Sequence, residues 1–540
     1  MKMQSVPVTF DRTENIKPTD PGFSSGAARG DESTRPISQE SQEVKTHSIS
    51  KQAIVLIMGR GLAASFTFLI PVVLARYLSP SDYGTFKQVF LIYSTLFMAL
   101  PFGIIQSLYY FIPKEPERIR TYLVQSFLFL QGSGLVAVLF LFFFRKSIAM
   151  SLNNPDLEGY LFQLGIFIFL MLSAAYFEAL LISSQKINQA ALLGFVSEAS
   201  KTACMLIPLL IFHQLSYLMW GMNLFAFFRF AFVLVYIVKE YHLSWKDFEW
   251  GSFRRQLLYS VPFGFAVILQ VTQDKLHNFV ISYQYSAAVF AVYSIGMFQL
   301  PIVDLIYTPM SQLLIVRMTA LRQKSTRQEV ILLWHDITKK MAMVFFPLFV
   351  LFQLIARDFV VLLFTETYLP SVPIFRVAVV TLLAAVFLPE GALRAYADTR
   401  FILRVTFFKL IVTLLLIFPF LNWFGLSGGV ITLVIVLLLA KAILLWKMSQ
   451  LIPLSLTQLL PWRELLNIAV FSVLCAVPAF FVKGISFSSH FIGLSVSVIV
   501  YLLFYLVFLF TSHLITFDEK REIVRIFRQM GQRIPLGSKP

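Results

Sequence analysis

Hydrophobic stretches of bilayer-spanning length, about 20 residues each, follow one another along the chain from near residue 53 to near residue 514. The pattern predicts fourteen transmembrane helices, at 53–74, 86–112, 121–144, 159–183, 190–212, 217–238, 256–282, 287–316, 335–355, 371–390, 402–420, 426–447, 465–482 and 490–514. The stretches are continuous and rich in Leu, Phe, Ile and Val, whereas a membrane β-barrel alternates apolar and polar positions. Residues 1–50 break the pattern. They are rich in Ser, Thr, Glu and Pro without apolar clustering, which predicts a disordered tail, and they lack the apolar centre of a signal peptide. At the other end, in 516–540, Ile523, Phe527 and Met530 share one helical face among Lys520, Arg521, Arg525 and Arg528. That segment reads either as an amphipathic helix on an anionic leaflet or as a solvated tail.

Composition agrees with this all-α polytopic reading. Of 540 residues 57% are hydrophobic and only 14% are charged, against about 25% charged in soluble domains. The net charge of +16 would elsewhere suggest nucleic acid. Here the basic residues sort by loop, so no nucleic-acid partner is expected. With the N-terminus inside, 32 of the 45 Lys and Arg fall in inner segments and 6 in outer loops, the latter including Arg76 and Lys87. By the positive-inside rule both termini are cytoplasmic. Seven basic residues remain within spans: Arg60, Lys201, Arg229, Lys275, Arg376, Lys409 and Lys441. The two cysteines, Cys204 and Cys475, lie in apolar stretches and suggest no disulfide framework.

Span 7 is the most polar. Gln270, Gln273, Asp274, Lys275, His277 and Asn278 fall within nine residues, and Gln270, Asp274, His277 and Asn278 repeat at helical spacing on one face. Such a stripe faces either a water-filled cavity or another helix, where each interhelical hydrogen bond is worth ~1 kcal/mol. A shift of about 207 residues also brings similar features together: Lys201 onto Lys409, Leu218 and Gly221 onto Leu426 and Gly429. We read this as a parallel duplication of spans 1–6 and 7–12, whose halves are related by an axis along the membrane normal. The expected division is a cytoplasmic tail (1–50), an N-terminal six-helix bundle (51–240), a C-terminal six-helix bundle (241–450), an extra helix pair (451–515) and a cytoplasmic tail (516–540).

The stretch from Leu74 to Phe86, LARYLSPSDYGTF, resembles the first hairpin of bacterial polysaccharide (O-antigen type) flippases, within the multidrug/oligosaccharidyl-lipid/polysaccharide exporter superfamily. Pro262, the pair Asp274-Lys275, the turn Ala291-Val292-Tyr293-Ser294 and Phe424 to Gly429 are similar to features of that family's second half, although Ala291 stands where Gly is usual. The resemblance covers about residues 50–450. It implies two six-helix bundles around a central cavity that opens alternately to either side, in a bacterial inner membrane. The implied substrate is an oligosaccharide on undecaprenyl diphosphate, moved from the cytoplasmic to the periplasmic leaflet for lipopolysaccharide or other surface polysaccharide synthesis. Membrane lipids and a polysaccharide polymerase machinery are the implied partners, and no cofactor is expected. Spans 13 and 14 would either form a groove for the lipid tail or pack peripherally on the second bundle.

With that resemblance, Lys275 is expected near a diphosphate, and Gln270, Gln273 and Asn278 toward sugars. Asp274 lines the cavity or binds a coupling cation. Arg60, between Gly59 and Gly61, either grips phosphate with its planar fork or snorkels to the inner surface. Lys201 and Lys409 are candidates for a shared cavity role, although Glu198, three residues before Lys201, also suits a simple neutralising pair. Glu390 and Arg394 are expected to pair.

Other classes fit less well. No G-x-x-x-x-G-K-[ST] motif occurs, and the seven His show no paired metal-ligand spacing. A membrane glycosyltransferase or polymerase usually carries a large external loop, but the longest outer loops here are near 145–158 and 356–370. No enzymatic activity is expected. A multidrug/cation antiporter of the same superfamily is the alternative.

Overall fold

The computed structural model describes residues 65–66, 68–324, 327–485 and 490–512. Arg60, the tail 1–50 and the segment 516–540 lie outside the described residues. Among the described residues there are helices and turns but no strand. The helices are α1 (Phe68–Tyr77), α2 (Pro80–Ala99), α3 (Ile104–Lys114), α4 (Ile119–Phe143), α5 (Arg145–Ser151), α6 (Glu158–Ser173), α7 (Phe177–Ser183), α8 (Ile187–Phe212) and α9 (Leu215–Tyr241). They continue with α10 (Trp250–Gln284), α11 (Ala287–Gly296), α12 (Pro301–Lys324), α13 (Arg327–Phe364), α14 (Val372–Val379), α15 (Thr381–Ala385), α16 (Pro389–Ala395), α17 (Thr399–Phe424) and α18 (Ser427–Leu451). The last are α19 (Leu456–Leu459), α20 (Trp462–Leu474), α21 (Ala476–Lys483) and α22 (His490–Thr511).

Among the described residues, eleven stretches are helical, long and apolar enough to cross a bilayer, and a twelfth is added if the pair α11 and α12, bent by 52°, counts as one span. This is fewer than the fourteen expected from hydropathy. The first expected span lies mostly outside the described residues. The seventh is the 35-residue α10, long enough at about 52 Å but made too polar by its stripe. Several spans are also broken. The second expected span becomes α2 and α3, the fourth α6 and α7, and the tenth α14, α15 and α16.

The start of α2 shows how local sequence sets an element. The Ser79 hydroxyl oxygen accepts a hydrogen bond from the Asp82 backbone N–H at 3.1 Å, and Pro80 takes the first helical position, where its missing N–H costs nothing. The helix therefore begins at residue 80, six residues before the hydrophobic stretch does.

In the first half, α4 packs on α6, α6 on α9, and α8 on α9. In the second, α17 packs on α18, α12 on α13 and α16, and α14 on α18. Helix α10 touches both sets, lying against α17 and α18 and also against α2, α3 and α4, while α11 runs along α2. Helices α20, α21 and α22 pack on α13, where the Tyr501 hydroxyl donates to the carbonyls of Pro347 at 3.0 Å and Ser472 at 3.2 Å. Tyr505 donates to the Met343 carbonyl at 2.8 Å. A net hydrogen bond is worth about 1 kcal/mol, so Tyr501→Phe lowers stability by about that much. A thermal melt in detergent that matches the parent's would show that this tyrosine does not fasten the C-terminal pair.

Candidate functional site

A cavity of about 880 Å³ lies in the interior, walled by α1, α2, α10, α11, α12, α14, α15, α17 and α18 together with the break at residues 297–300. Its volume is near the top of the range usual for small-molecule sites, about 300–1,000 Å³. Three lysines line it, each from a different helix: Lys87 on α2, Lys275 on α10 and Lys409 on α17. Two carboxylates, Asp274 and Asp304, line it as well, so the wall carries a surplus of one positive charge. Charge inside a membrane helix costs ~2.5–3.5 kcal/mol at the bilayer centre unless it faces water, a partner or a ligand. The cavity supplies such a facing.

Helix α10 sets much of the geometry. The Gln273 side-chain oxygen accepts from Lys409 Nζ at 2.8 Å, which ties α10 to α17. His277 is buried, and its Nδ1 lies 2.8 Å from the Tyr293 hydroxyl on α11. Asn278 Nδ2 stands 3.3 Å from His277 Nε2 and lines the cavity. Gln270 Nε2 donates to Asp274 Oδ2 at 2.8 Å. Helical spacing of four brings those two together, yet Gln270 itself is exposed and not part of the cavity wall. The rings of Phe90, Phe290, Phe298 and Phe375 also line the cavity.

The expected site residues thus divide. The structure brings Gln273, Asp274, Lys275, Asn278 and Lys409 to one cavity. Lys201 is elsewhere, its ammonium 2.5 Å from Glu198 of the same helix. Arg60 lies outside the described residues. Arg229 shares the wall of a smaller pocket of about 390 Å³ within the first half with Glu198, and it donates to Ser197 Oγ at 2.9 Å. Glu390 was expected to pair with Arg394. It accepts instead from Lys441 Nζ at 2.9 Å. Lys441 is buried and also donates to Tyr307 OH at 3.1 Å and the Phe387 carbonyl at 2.9 Å. Burial leaves an ammonium no solvent, so it selects the carboxylate that packing brings near, here from another helix.

Lys87 is the residue that sequence reasoning missed. The count of loop charges assigns it to an outer loop, although it stands one residue inside the expected span 86–112. The Ser79-Pro80 start of α2 carries the missing signal. Counted from Pro80, Lys87 lies two turns inside the helix, and it lines the cavity beside Phe90 and Leu91.

A family model described as "Polysaccharide biosynthesis protein" matches residues 73–373, more than half of the chain. The chain belongs to this polysaccharide biosynthesis protein family. No curated protein sequence matches this family member closely enough to count as a relative. Solved structures share its fold. One is titled "Lipid II flippase MurJ, inward closed conformation"; it is 14% identical, with a TM-score of 0.67 over 85% of this chain and 97% of that one. Another is an inward-facing multidrug resistance MATE family transporter, 15% identical, with a TM-score of 0.58 over 72% of this chain and 94% of that one. A third is a transporter of the same superfamily from Pyrococcus furiosus, 15% identical, with a TM-score of 0.54 over 75% of this chain and 95% of that one. The fold is thus that of the multidrug/oligosaccharidyl-lipid/polysaccharide exporter superfamily, and the family member is a multi-pass membrane protein.

Proposed function

We propose that this protein is a flippase that carries a lipid-linked oligosaccharide across the membrane. The observation that carries the proposal is the convergence of Lys87, Lys275 and Lys409, from three helices, on one interior cavity in a member of a polysaccharide biosynthesis family. A diphosphate-linked headgroup presents anionic oxygens, which ammonium groups bind as point charges. It also presents sugar hydroxyls, for which Gln273, Asp274 and Asn278 supply donors and acceptors. Aromatic walls suit the apolar faces of sugar rings.

In this proposal the carrier is undecaprenyl diphosphate and the direction is from the cytoplasmic to the periplasmic leaflet of a bacterial inner membrane, with both termini cytoplasmic. Two bundles, divided near residue 240, alternate the cavity between the two sides. The polysaccharide polymerase that would use the product acts downstream. Reconstitution tests the proposal: in proteoliposomes loaded with a labelled lipid-linked oligosaccharide, the protein exposes the label to an external lectin faster than empty liposomes do. Equal rates for an undecaprenyl diphosphate oligosaccharide would reject the flippase reading. The likeness to MATE transporters favours a second reading, a multidrug/cation antiporter. Efflux of a cationic dye against a sodium or proton gradient by the same proteoliposomes would support it.

A further inference from the structure

Two identical tripeptides, Pro101-Phe102-Gly103 and Pro262-Phe263-Gly264, face each other where the second and seventh spans cross. The first breaks its span: α2 ends at Ala99, α3 begins at Ile104, and Phe102 and Gly103 take φ of +46° and +81°. The second lies inside α10, where Pro262 has no N–H to give the carbonyl of residue 258, which weakens the helix there. The two glycines let the backbones touch. A Cβ on Gly103 would stand 2.6 Å from the Ser260 carbonyl oxygen, and one on Gly264 would stand 2.7 Å from that of Phe102. Both spans are thus weakened at one height, where each glycine faces the backbone and the phenylalanine of the other tripeptide.

The seam between these spans differs in kind on the two sides of the crossing. Toward the inner side it is tied repeatedly. Gln256 Nε2 donates to Ser107 Oγ at 2.9 Å and to Ser126 Oγ at 3.0 Å, all three residues being buried. The rings of Tyr110 and Tyr259 stack with centroids 4.9 Å apart, and Arg118 pairs with Glu249 at 3.2 Å. Glu115 lies 3.8 Å from Arg255. The Tyr122 hydroxyl, donating to Glu115 at 2.7 Å, holds that carboxyl below its usual range and so keeps it charged.

Toward the outer side the seam has no charged tie: Leu91 of α2 packs with Val280 and Ile281 of α10, and one small uncharged polar cluster sits beside them. Gln88 Nε2 donates to Ser282 Oγ at 2.9 Å and to the Leu152 carbonyl at 2.8 Å. Asn154 Nδ2 donates to Gln88 at 2.6 Å and to Thr85 at 2.8 Å. Gly84 lies so close to Ala287 that a Cβ on it would overlap the Ala287 carbonyl. Groups of this kind exchange their partners for water when the seam parts, at the small net cost of a typical hydrogen bond, about 1 kcal/mol each. Lys87 and Lys275 both stand on the outer side of the crossing.

We infer that the paired Pro-Phe-Gly breaks form a hinge about which the outer halves of the second and seventh spans, carrying Lys87 and Lys275, swing apart while their inner halves stay clamped. The role of this motion in opening the cavity rests on the transport reading, but the hinge itself does not. Spin-label distances in the full chain in lipid nanodiscs test it, with Cys204 and Cys475 replaced by serine. One pair of labels, at Ser81→Cys and Tyr283→Cys, reports on the outer seam; a second, at Glu117→Cys and Arg254→Cys, reports on the inner. Gly84→Leu wedges the outer seam, because its side chain has no room against Ala287. The expected result is an outer distance longer by several ångström and an unchanged inner distance. Lengthening of both pairs together, or of the inner pair alone, overturns the hinge, as does an unchanged outer distance in the wedged protein. If Gly84→Leu does not fold, Gly84→Ala, whose Cβ already overlaps the same carbonyl, gives the same reading with a smaller shift. No substrate enters the measurement, so a chain that fails to flip oligosaccharide still reports on the hinge.

Discussion

Lys87→Ala, Lys275→Ala and Lys409→Ala each lower the initial rate of lipid-linked oligosaccharide flipping by about tenfold or more in proteoliposomes matched for protein. The three ammonium groups line one cavity, and a hydrogen bond to a charged group is worth about 1.5–3 kcal/mol, while each 1.4 kcal/mol is a factor of about ten. Lys409 has a second task, since it also holds Gln273 of α10, so its loss frees the wall as well as removing a charge. Charge-keeping Lys275→Arg retains much of the rate, because a guanidinium also binds phosphate oxygens. Parent-like rates in all three alanine variants would remove the cavity lysines from the mechanism and leave the phosphate reading without support.

The second large effect is on stability. Lys441→Ala destabilises the protein by about 3–5 kcal/mol, the usual cost of stripping one partner from a buried ion pair. Lys441 is buried, and its ammonium serves Glu390, Tyr307 and the Phe387 carbonyl together. Without it the Glu390 carboxylate loses its counter-charge inside the bundle. The double substitution Lys441→Met with Glu390→Gln removes both charges and recovers most of the loss. Thermal unfolding of the single and double variants, read by tryptophan fluorescence, gives the comparison. A single variant as stable as the parent would show the pair to be dispensable.

Much of the site's composition was legible in sequence, and its membership was not. The polar stripe on span 7 identified Gln273, Asp274, Lys275 and Asn278, because polar residues inside an apolar helix need a reason to be there. The same stripe included Gln270, which the helix turns outward, whereas His277 lines the cavity while its Nδ1 meets the Tyr293 hydroxyl. A helical repeat gives relative angles along one helix and says nothing of which neighbour each angle meets. Lys201 and Lys409 match under the expected duplication, yet one is paired with Glu198 in its own helix and the other reaches Gln273. Lys87 was hidden for a different reason: hydropathy averages over a window and so dates a helix from its apolar residues, whereas the helix is nucleated earlier, by the Ser79-Pro80 cap.

By itself the sequence determined the class of molecule: a helical membrane protein with a polar seventh span. Those properties follow from transfer of side chains and backbone between water and hydrocarbon, which local composition fixes. Tertiary structure decided which polar groups meet. Gln273 and Lys409 are 136 residues apart and Glu390 and Lys441 are 51 apart, and the facing Pro-Phe-Gly tripeptides belong to different spans. Contacts of that kind depend on how helices pack against one another, and no periodicity along a single helix encodes them.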